Sequence, residues 1–388
     1  MNHQQSKKPS RAILFLSFLR LGLTSFGGPA MVAYIRKLVV EQKKWLDPES
    51  FRHGVALCQT IPGSTAIQNA GYVGLKLRGL SGATLSFVAF ALPAFIIMIV
   101  LSALYISFHN VPRVISAFNG LQAIIVAIIA NAMISFGLTS LKTYRDVIIT
   151  VVAAIAFLGG VSPILVIIVA ALLGLGLYKT ERISANKERV TGKPYAMRHL
   201  VIILVVSAVV YLLLFLLDRQ LFDLAAVMSW INIFAFGGGF SAVPLMYHEV
   251  VGVHSWMDNS TLMNGIALGQ VTPGPVVITS TFIGYIVRGP VGAIIATIGM
   301  FLPSFLIMVA TVPYYDRLRT SPYFNKAVTG IVCSFVGLLL SVTLRFAFEV
   351  PWEPIRIALA AASLVALLLK EDIFYVVIIG TVIAIFVL

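Results

Sequence analysis

Two short segments combine uncharged hydrogen-bonding side chains with a proline and a glycine in apolar surroundings. Residues 59–64 read Gln-Thr-Ile-Pro-Gly-Ser, and residues 270–275 read Gln-Val-Thr-Pro-Gly-Pro. Proline removes a backbone donor and glycine permits a sharp change of direction, so we expect a helix to stop and restart in each segment. A helix that restarts there points its free N–H groups and the positive end of its dipole at the break, which favours an anion.

Further neutral donors surround these two breaks and a second pair of glycine-rich breaks. No Asp or Glu lies between Glu49 and Asp146, so the site lacks the carboxylates that cation sites use. The alternative is that the hydroxyls only pack or bond to their own helix. The predicted site comprises Ser25, Gly27, Gly28, Gln59, Thr60, Pro62, Gly63, Ser64, Thr65, Asn69, Gly237, Gly238, Gln270, Thr272, Pro273, Gly274 and Thr279, with Ser280 as a further donor.

Arg78 and Arg288 are the only cations repeated in register between these regions. A guanidinium matches a tetrahedral oxyanion bidentately, so both are added to the predicted anion site. Each also precedes a glycine at the end of an apolar run, where an arginine can simply reach the membrane interface. Arg20, which lies amid apolar residues, is a further functional candidate. Candidate proton carriers are His53, His248, His254, Glu249 and Asp258. The alternative is that they are only solvated loop residues.

Other chemistry finds no support in the sequence. Cys58 and Cys333 lie in apolar surroundings, as expected for small buried side chains rather than for a disulfide or a metal site. The chain carries no phosphate-binding GxxxxGK[ST] motif, no zinc-ligand spacing and no Ser/His/Asp order. We therefore expect no enzymatic activity, no metal and no cofactor.

Composition identifies the setting of these residues as a lipid bilayer. The 388 residues are 59% hydrophobic and 11% charged, whereas soluble proteins carry about 25% charged residues. We expect an all-α polytopic membrane protein with roughly 10 membrane segments. The net charge of +13 comes from residues between the apolar runs, as the positive-inside rule requires, so no nucleic-acid partner is expected.

The two segments belong to a longer internal match at a separation of 210 or 211 residues. A register kept over about 100 positions, with glycines and prolines at corresponding helix breaks, indicates an internal duplication. Phe-Gly-Gly-Pro at 26–29 corresponds to Phe-Gly-Gly-Gly at 236–239. Further matched pairs are Trp45 and Trp256, Asp47 and Asp258, Gly74 and Gly284, Gly79 and Gly289, Pro93 and Pro303, and Gly120 and Gly330.

The duplication divides the chain into two repeats. Residues 1–10 are predicted to be a disordered tail, 11–178 the first transporter repeat, 179–198 a basic cytoplasmic linker, and 199–388 the second repeat. The stretch 36–52 holds five Lys and Arg residues and its counterpart 247–263 holds none. Because the positive-inside rule then puts the same loop on opposite faces, we expect inverted-topology repeats.

The path of the broken segments is open between two interpretations. If every basic cluster of the first repeat is cytoplasmic, 12–40 and 53–76 must each enter and return as hairpins, folded at 27–29 and at 62–63. Alternatively, each crosses the membrane as one broken helix. Hairpins are favoured for 53–76, because its half-helices of about a dozen residues are too short to span singly.

Taken together, residues 26–29, 59–63, 71–79 and 90–95, with their second-half counterparts, resemble the long, two-domain form of the chromate ion transporter family. The resemblance implies a plasma-membrane, multi-pass protein that exports chromate, driven by the protonmotive force with protons as coupling ion. The second half departs from the first by having Gly239 for Pro29 and Pro275 for Ser64. The alternative is a transporter or channel for sulfate or another small oxyanion. Assembly as a homodimer is compatible with the sequence.

Overall fold

The computed structural model describes residues 9–26, 30–108, 111–178 and 197–388, and every regular element in these ranges is a helix. The predicted tail and linker fall almost wholly outside them, as do Gly27 and Gly28. The α-helices are α1 Arg11–Thr24, α2 Ala30–Arg36, α3 Pro48–Thr60, α4 Thr65–Phe108, α5 Pro112–Ser140, α6 Tyr144–Leu158, α7 Pro163–Leu177, α8 Met197–Leu217, α9 Arg219–Phe234, α10 Ala242–Met246, α11 Asn259–Val271, α12 Thr279–Thr311, α13 Tyr315–Thr320, α14 Pro322–Glu349, α15 Pro354–Leu368 and α16 Ile373–Val387.

Among the described residues, five helical segments are long and apolar enough to cross a membrane: 65–108, 112–140, 200–217, 276–314 and 322–349. Three shorter apolar helices, α7, α15 and α16, accompany them. The window of α8 has none of its residues buried inside the protein, so that its large apolar side chains face outward. An all-helical chain with such surfaces has transmembrane helices, as expected. The number of about ten segments stays a prediction.

The Pro-Gly segment of the first half joins two helices that fold back on each other. The Tyr72 hydroxyl donates a hydrogen bond of 3.1 Å to the carbonyl oxygen of Ser50, and the same ring packs against Gly54. Nearer the turn, Thr65 Oγ1 donates to the carbonyl oxygen of Cys58 at 3.3 Å. α3 and the start of α4 are therefore antiparallel, as the hairpin interpretation requires. In the second half, the Phe282 ring packs against Gly265 in the same way.

A second reversal lies inside α4 and inside α12, each of which is two helices joined by a tight turn. The turns are at Arg78-Gly79 and Arg288-Gly289, where the glycines have φ of 65° and 60°. Only glycine adopts this left-handed backbone at no steric cost. Across the turns, Ser86 Oγ donates to the carbonyl oxygen of Ala70 at 2.7 Å, and Thr281 Oγ1 lies 2.7 Å from Thr297 Oγ1.

The outer ends of the first three helices lie at one face of the protein. Arg78 Nε donates to the carbonyl oxygen of Pro9 at 2.7 Å, which puts the start of α1 beside the 78–79 turn. The bond from Tyr72 to Ser50 puts the start of α3 at the same end. Both α1 and α3 therefore begin at this face. The corresponding contact in the second half joins Arg288 to Asp218 at 2.9 Å.

The last two helices of each half pack on the other half. α5 contacts α15 and α16, and α14 contacts α6 and α7. A Cβ added at Gly120 would lie 2.2 Å from the Cβ of Ala384, and one added at Gly330 would lie 3.1 Å from the Cα of Gly174. Gly330 is the counterpart of Gly120, and Ala384 is the counterpart of Gly174, so the two contacts are equivalent with the halves exchanged. Such reciprocal contacts are what a two-fold relation between two similar halves produces.

Candidate functional site

One cavity of about 1080 Å³ lies between the two halves and reaches both Pro-Gly segments. Its wall combines α2, α3, the start of α4, the middle of α5 and the two breaks of the second half. Its polar, charged and glycine lining residues, with Pro275 and Val276, are Arg36, Asp47, Glu49, Arg52, Gln59, Ser64, Thr65, Asn131, Ser135, Gly237, Gly238, Gly239, Pro275 and Val276.

Two helix starts face this cavity. Ser64 and Thr65 begin α4, and Pro275 with Val276 begins the short 3₁₀ turn that leads into α12. The first N–H groups of a helix have no partner within it, so both starts offer donors and a positive dipole end. The predicted donor at Gly63 is not among them, because its N–H donates to the carbonyl oxygen of Ala235 at 2.7 Å.

Side chains from α3 and α5 complete the polar wall. Gln59 is exposed to the cavity three residues before Pro62. On α5, Asn131 and Ser135 are four residues apart and thus share one helix face. The sequence analysis missed both, although a pair of polar residues at this spacing within an apolar helix is the signal that indicates them.

Three predicted hydroxyls bond to their own helix turns, as the alternative interpretation expected. Thr60 Oγ1 donates to the carbonyl oxygen of Leu57 at 2.8 Å, Thr272 Oγ1 to Gly269 at 2.9 Å, and Thr279 Oγ1 to Val276 at 2.8 Å. They do not line the cavity. Their assignment to the substrate site receives no support from these contacts and stays a prediction.

Four predicted or candidate polar side chains are buried beside the breaks and have at least one polar atom without a hydrogen-bond partner among the described residues. They are Ser25, Asn69, Gln270 and Ser280. Both polar atoms of Asn69 lack a partner, and Ser280 is its counterpart at a separation of 211. Buried polar groups nearly always have partners, so such exceptions indicate a place where water, an ion or a second conformation supplies one.

The two repeated arginines lie at the helix turns, away from the cavity. Arg288 is about half exposed and forms an ion pair with Asp218, and its hydrogen bond lowers the pKa of that carboxyl. Arg78 holds the backbone of Pro9. Arg20 is exposed on α1. Of the two roles open to Arg78 and Arg288, these contacts favour the interfacial anchor.

The proposed proton carriers are dispersed. His254 Nε2 lies 3.9 Å from Glu249 Oε2, and the His53 ring packs edge-on against Tyr315 at 6.4 Å. Asp258 caps α11 by accepting the N–H of Thr261 at 2.7 Å. Of this group, none lines the cavity.

An apolar helical protein whose broken helices open into a cavity between its two halves has an architecture typical of membrane transporters. The chromate transporter family model matches residues 12–175 and 222–386, one match in each half. The chain belongs to the chromate transporter family.

Relatives cover most of the chain. An uncharacterized transporter of Methanocaldococcus jannaschii is 40% identical over 98% of this chain and 95% of its own. A chromate transport protein of Cupriavidus metallidurans is 32% identical, over 92% of this chain and 87% of its own. One of Pseudomonas aeruginosa is 29% identical, over 86% and 80%. No solved structure matches the chain.

Proposed function

We propose that this protein is a secondary active transporter that exports chromate across the plasma membrane. The observation that carries the proposal is the cavity that both Pro-Gly segments reach, where two helix starts and the side chains of Gln59, Asn131 and Ser135 converge. The names of the relatives from C. metallidurans and P. aeruginosa supply the substrate.

The cavity selects its substrate through neutral donors and helix dipoles. A tetrahedral dianion accepts hydrogen bonds at four oxygens, and the first-turn N–H groups of α4 and of the 3₁₀ turn at Val276 meet that need from two sides. No carboxylate lies at these helix starts to repel it, since Asp47 and Glu49 lie at the start of α3, about two turns or more from Gln59. A site of this kind holds an oxyanion without a strong formal charge and so can release it.

An inverted arrangement of the halves is supported by contacts at the far ends of α4 and α5. Gln122 Nε2 donates to Ser260 Oγ at 2.6 Å, and Asn264 Nδ2 donates to the Tyr105 hydroxyl at 3.3 Å. The start of α11 therefore lies at the end of the bundle opposite the 78–79 turn. Its counterpart, the start of α3, lies at the same end as that turn. The same loop then faces opposite sides of the membrane in the two halves.

The cavity opens toward the cytoplasm in this arrangement. Its mouth is formed by Arg36, Asp47, Glu49 and Arg52, which belong to the basic stretch that the positive-inside rule assigns to the cytoplasmic side. A transporter that loads its substrate from the cytoplasm and then closes this mouth performs export. Protons are the proposed coupling ion, with the His254–Glu249 pair as the candidate carrier.

Everted membrane vesicles carrying the protein test this function directly. We expect them to accumulate chromate when a proton gradient is present and to lose most of the uptake when a protonophore is added. Sulfate, which has the same tetrahedral geometry, serves as the competitor in a second set of measurements. Uptake no greater than in vesicles without the protein would refute chromate export, and uptake insensitive to the protonophore would refute proton coupling.

A further inference from the structure

The mouth of the cavity carries two arginines that no part of the site described above uses. We propose that Arg36 and Arg52 form an outer anion subsite, which captures the divalent oxyanion before it reaches the Pro-Gly segments. This inference rests on the proposed function, because it takes the cavity as the path of the anion.

Geometry places the two guanidinium groups on one path. Arg36 comes from the end of α2 and Arg52 from the first turns of α3, and both line the same cavity. Arg52, Val55 and Gln59 follow at intervals of three and four residues, so they share the cavity-facing side of α3. Arg52 is about 10 Å from Gln59 along the helix. An anion held by the arginines is thus one short step from the inner donors.

Both arginines are available to an anion. Each is exposed, and no carboxylate among the described residues lies within ion-pair distance of either. The two acids at the mouth sit in the first turn or cap of α3, where the helix dipole stabilises them. Asp47 accepts the N–H of Ser50 at 2.8 Å. Burial raises the pKa of Asp47, but the hydrogen bonds from Ser50 and from the backbone of Asp47 and Glu49 together outweigh it and leave the pKa lowered.

The second half lacks this feature, which gives the pathway a polarity. The counterparts of Arg36 and Arg52 are Met246 and Met263, both fully buried. With five cations and three carboxylates, 36–52 has a net charge of +2, whereas 247–263 has two carboxylates, no Lys or Arg, and −2. The first stretch attracts an anion and the second repels it, so the charge difference favours capture on one side and release on the other.

Initial rates of chromate uptake into everted vesicles test the subsite in the Arg36→Gln/Arg52→Gln double variant. We expect KM to rise about 5- to 10-fold, with the maximal rate within about twofold of the unmodified protein. The KM of the unmodified protein should rise between low and high salt, because exposed charges are screened. In the double variant this salt dependence should largely disappear.

The matched control is Lys37→Gln/Lys43→Gln, which removes the same charge from two exposed residues of the same stretch that do not line the cavity. An equal rise in KM in this control, or an unchanged KM in the arginine variant, would overturn the subsite. The single variants replace the double variant if it fails to insert.

Equilibrium dialysis of purified protein with radioactive chromate separates the two proposals. A Kd that rises in the Arg36→Gln/Arg52→Gln variant supports the subsite even if vesicles show no uptake, in which case only the transport proposal fails. Uptake by the unmodified protein with an unchanged Kd and KM in the variant would remove the subsite and leave transport intact.

Discussion

At the scale of single residues, the buried polar side chains without partners are the most informative feature of the site. Asn69 and Ser280 occupy corresponding positions one turn or so beyond the two breaks, and both lack partners. A buried amide or hydroxyl without a partner costs about 1–3 kcal/mol, which a packed apolar residue would avoid. Their retention at both breaks fits a role in which an ion, water or a second conformation completes their hydrogen bonds.

The Pro-Gly segments should not tolerate a larger residue at their glycines. Gly63 has φ of 111° and a Cβ there would lie 2.0 Å from Ser304 Oγ, while Gly274 has φ of 142° and its Cβ would lie 2.7 Å from that of Ala94. We expect Gly63→Val and Gly274→Val to abolish most chromate transport while the protein still inserts, because the apolar spans are unchanged. The measurement is chromate accumulation in cells expressing equal amounts of each protein.

Gly176→Val is the matched control, since a Cβ at Gly176 meets no atom within 4 Å and its φ is not positive. This variant should transport normally. If Gly63→Val and Gly274→Val also transported normally, the site would have to lie elsewhere, and the Gly237-Gly238 break, which lines the same cavity, would be the next candidate.

The turn arginines should prove to be anchors. Because Arg288 pairs with Asp218 and Arg78 with the backbone of Pro9, we expect Arg78→Gln and Arg288→Gln to keep the KM for chromate and to lose at most some protein abundance. Vesicle uptake, corrected for protein amount, is the measurement. If lysine failed almost as badly as glutamine at either position, a bidentate contact to the oxyanion would be indicated instead.

The sequence predicted the residues of the breaks because proline and glycine act locally. Gln59, Ser64 and Thr65 were identified in this way and do line the cavity. The spacing of Asn131 and Ser135 indicates a shared polar face on α5, but it shows no sign of which neighbouring helices that face meets. That information depends on the packing of α5 against the other half, which no local pattern contains.

At the scale of helices, local features could again be predicted from the sequence, whereas features that depend on packing could not. The helix breaks were predicted, but the chain reversal at Arg78-Gly79 was not, since a glycine after an arginine also fits the simple end of a helix. The structure turns α4 back on itself there. Local preference fixes where a helix can bend, and tertiary packing, here Ser86 against Ala70, fixes by how much.

The stretches between α2 and α3 and between α10 and α11 should label from opposite sides. Lys43 and Val253 are exposed counterparts at a separation of 210. With Cys58 and Cys333 replaced by alanine, we expect Lys43→Cys to be protected from an impermeant thiol reagent in whole cells and Val253→Cys to react, because the proposed inverted arrangement puts them on opposite faces. Permeabilised cells, in which both should react, are the control. Equal labelling in intact cells would exclude the inverted arrangement.

At the scale of the whole molecule, transport requires the cavity to close on one side and open on the other. The far side is held by Gln122 with Ser260 and by Asn264 with Tyr105. We expect Gln122→Cys/Ser260→Cys protein to lose transport when a short bifunctional thiol reagent links the two positions, since the halves can then no longer separate there. Chromate binding from the open side should persist, as measured by equilibrium dialysis.

The single variants Gln122→Cys and Ser260→Cys, treated with the same reagent in the same cysteine-free background, control for damage by the reagent. They should retain transport. Full activity of the linked double variant would mean that the contact between α5 and α11 does not open during transport, and that the exit path lies elsewhere.

The last two helices of each half pack on the other half, and this also determines when the protein can finish folding. Synthesis proceeds from the N-terminus, so α14 finds α6 and α7 already made, whereas α5 must wait for α15 and α16. Until Ala384 leaves the ribosome, Gly120 and the face of α5 around it have no permanent neighbour. A chain that stops before Pro354 therefore leaves its first half incomplete as well as its second.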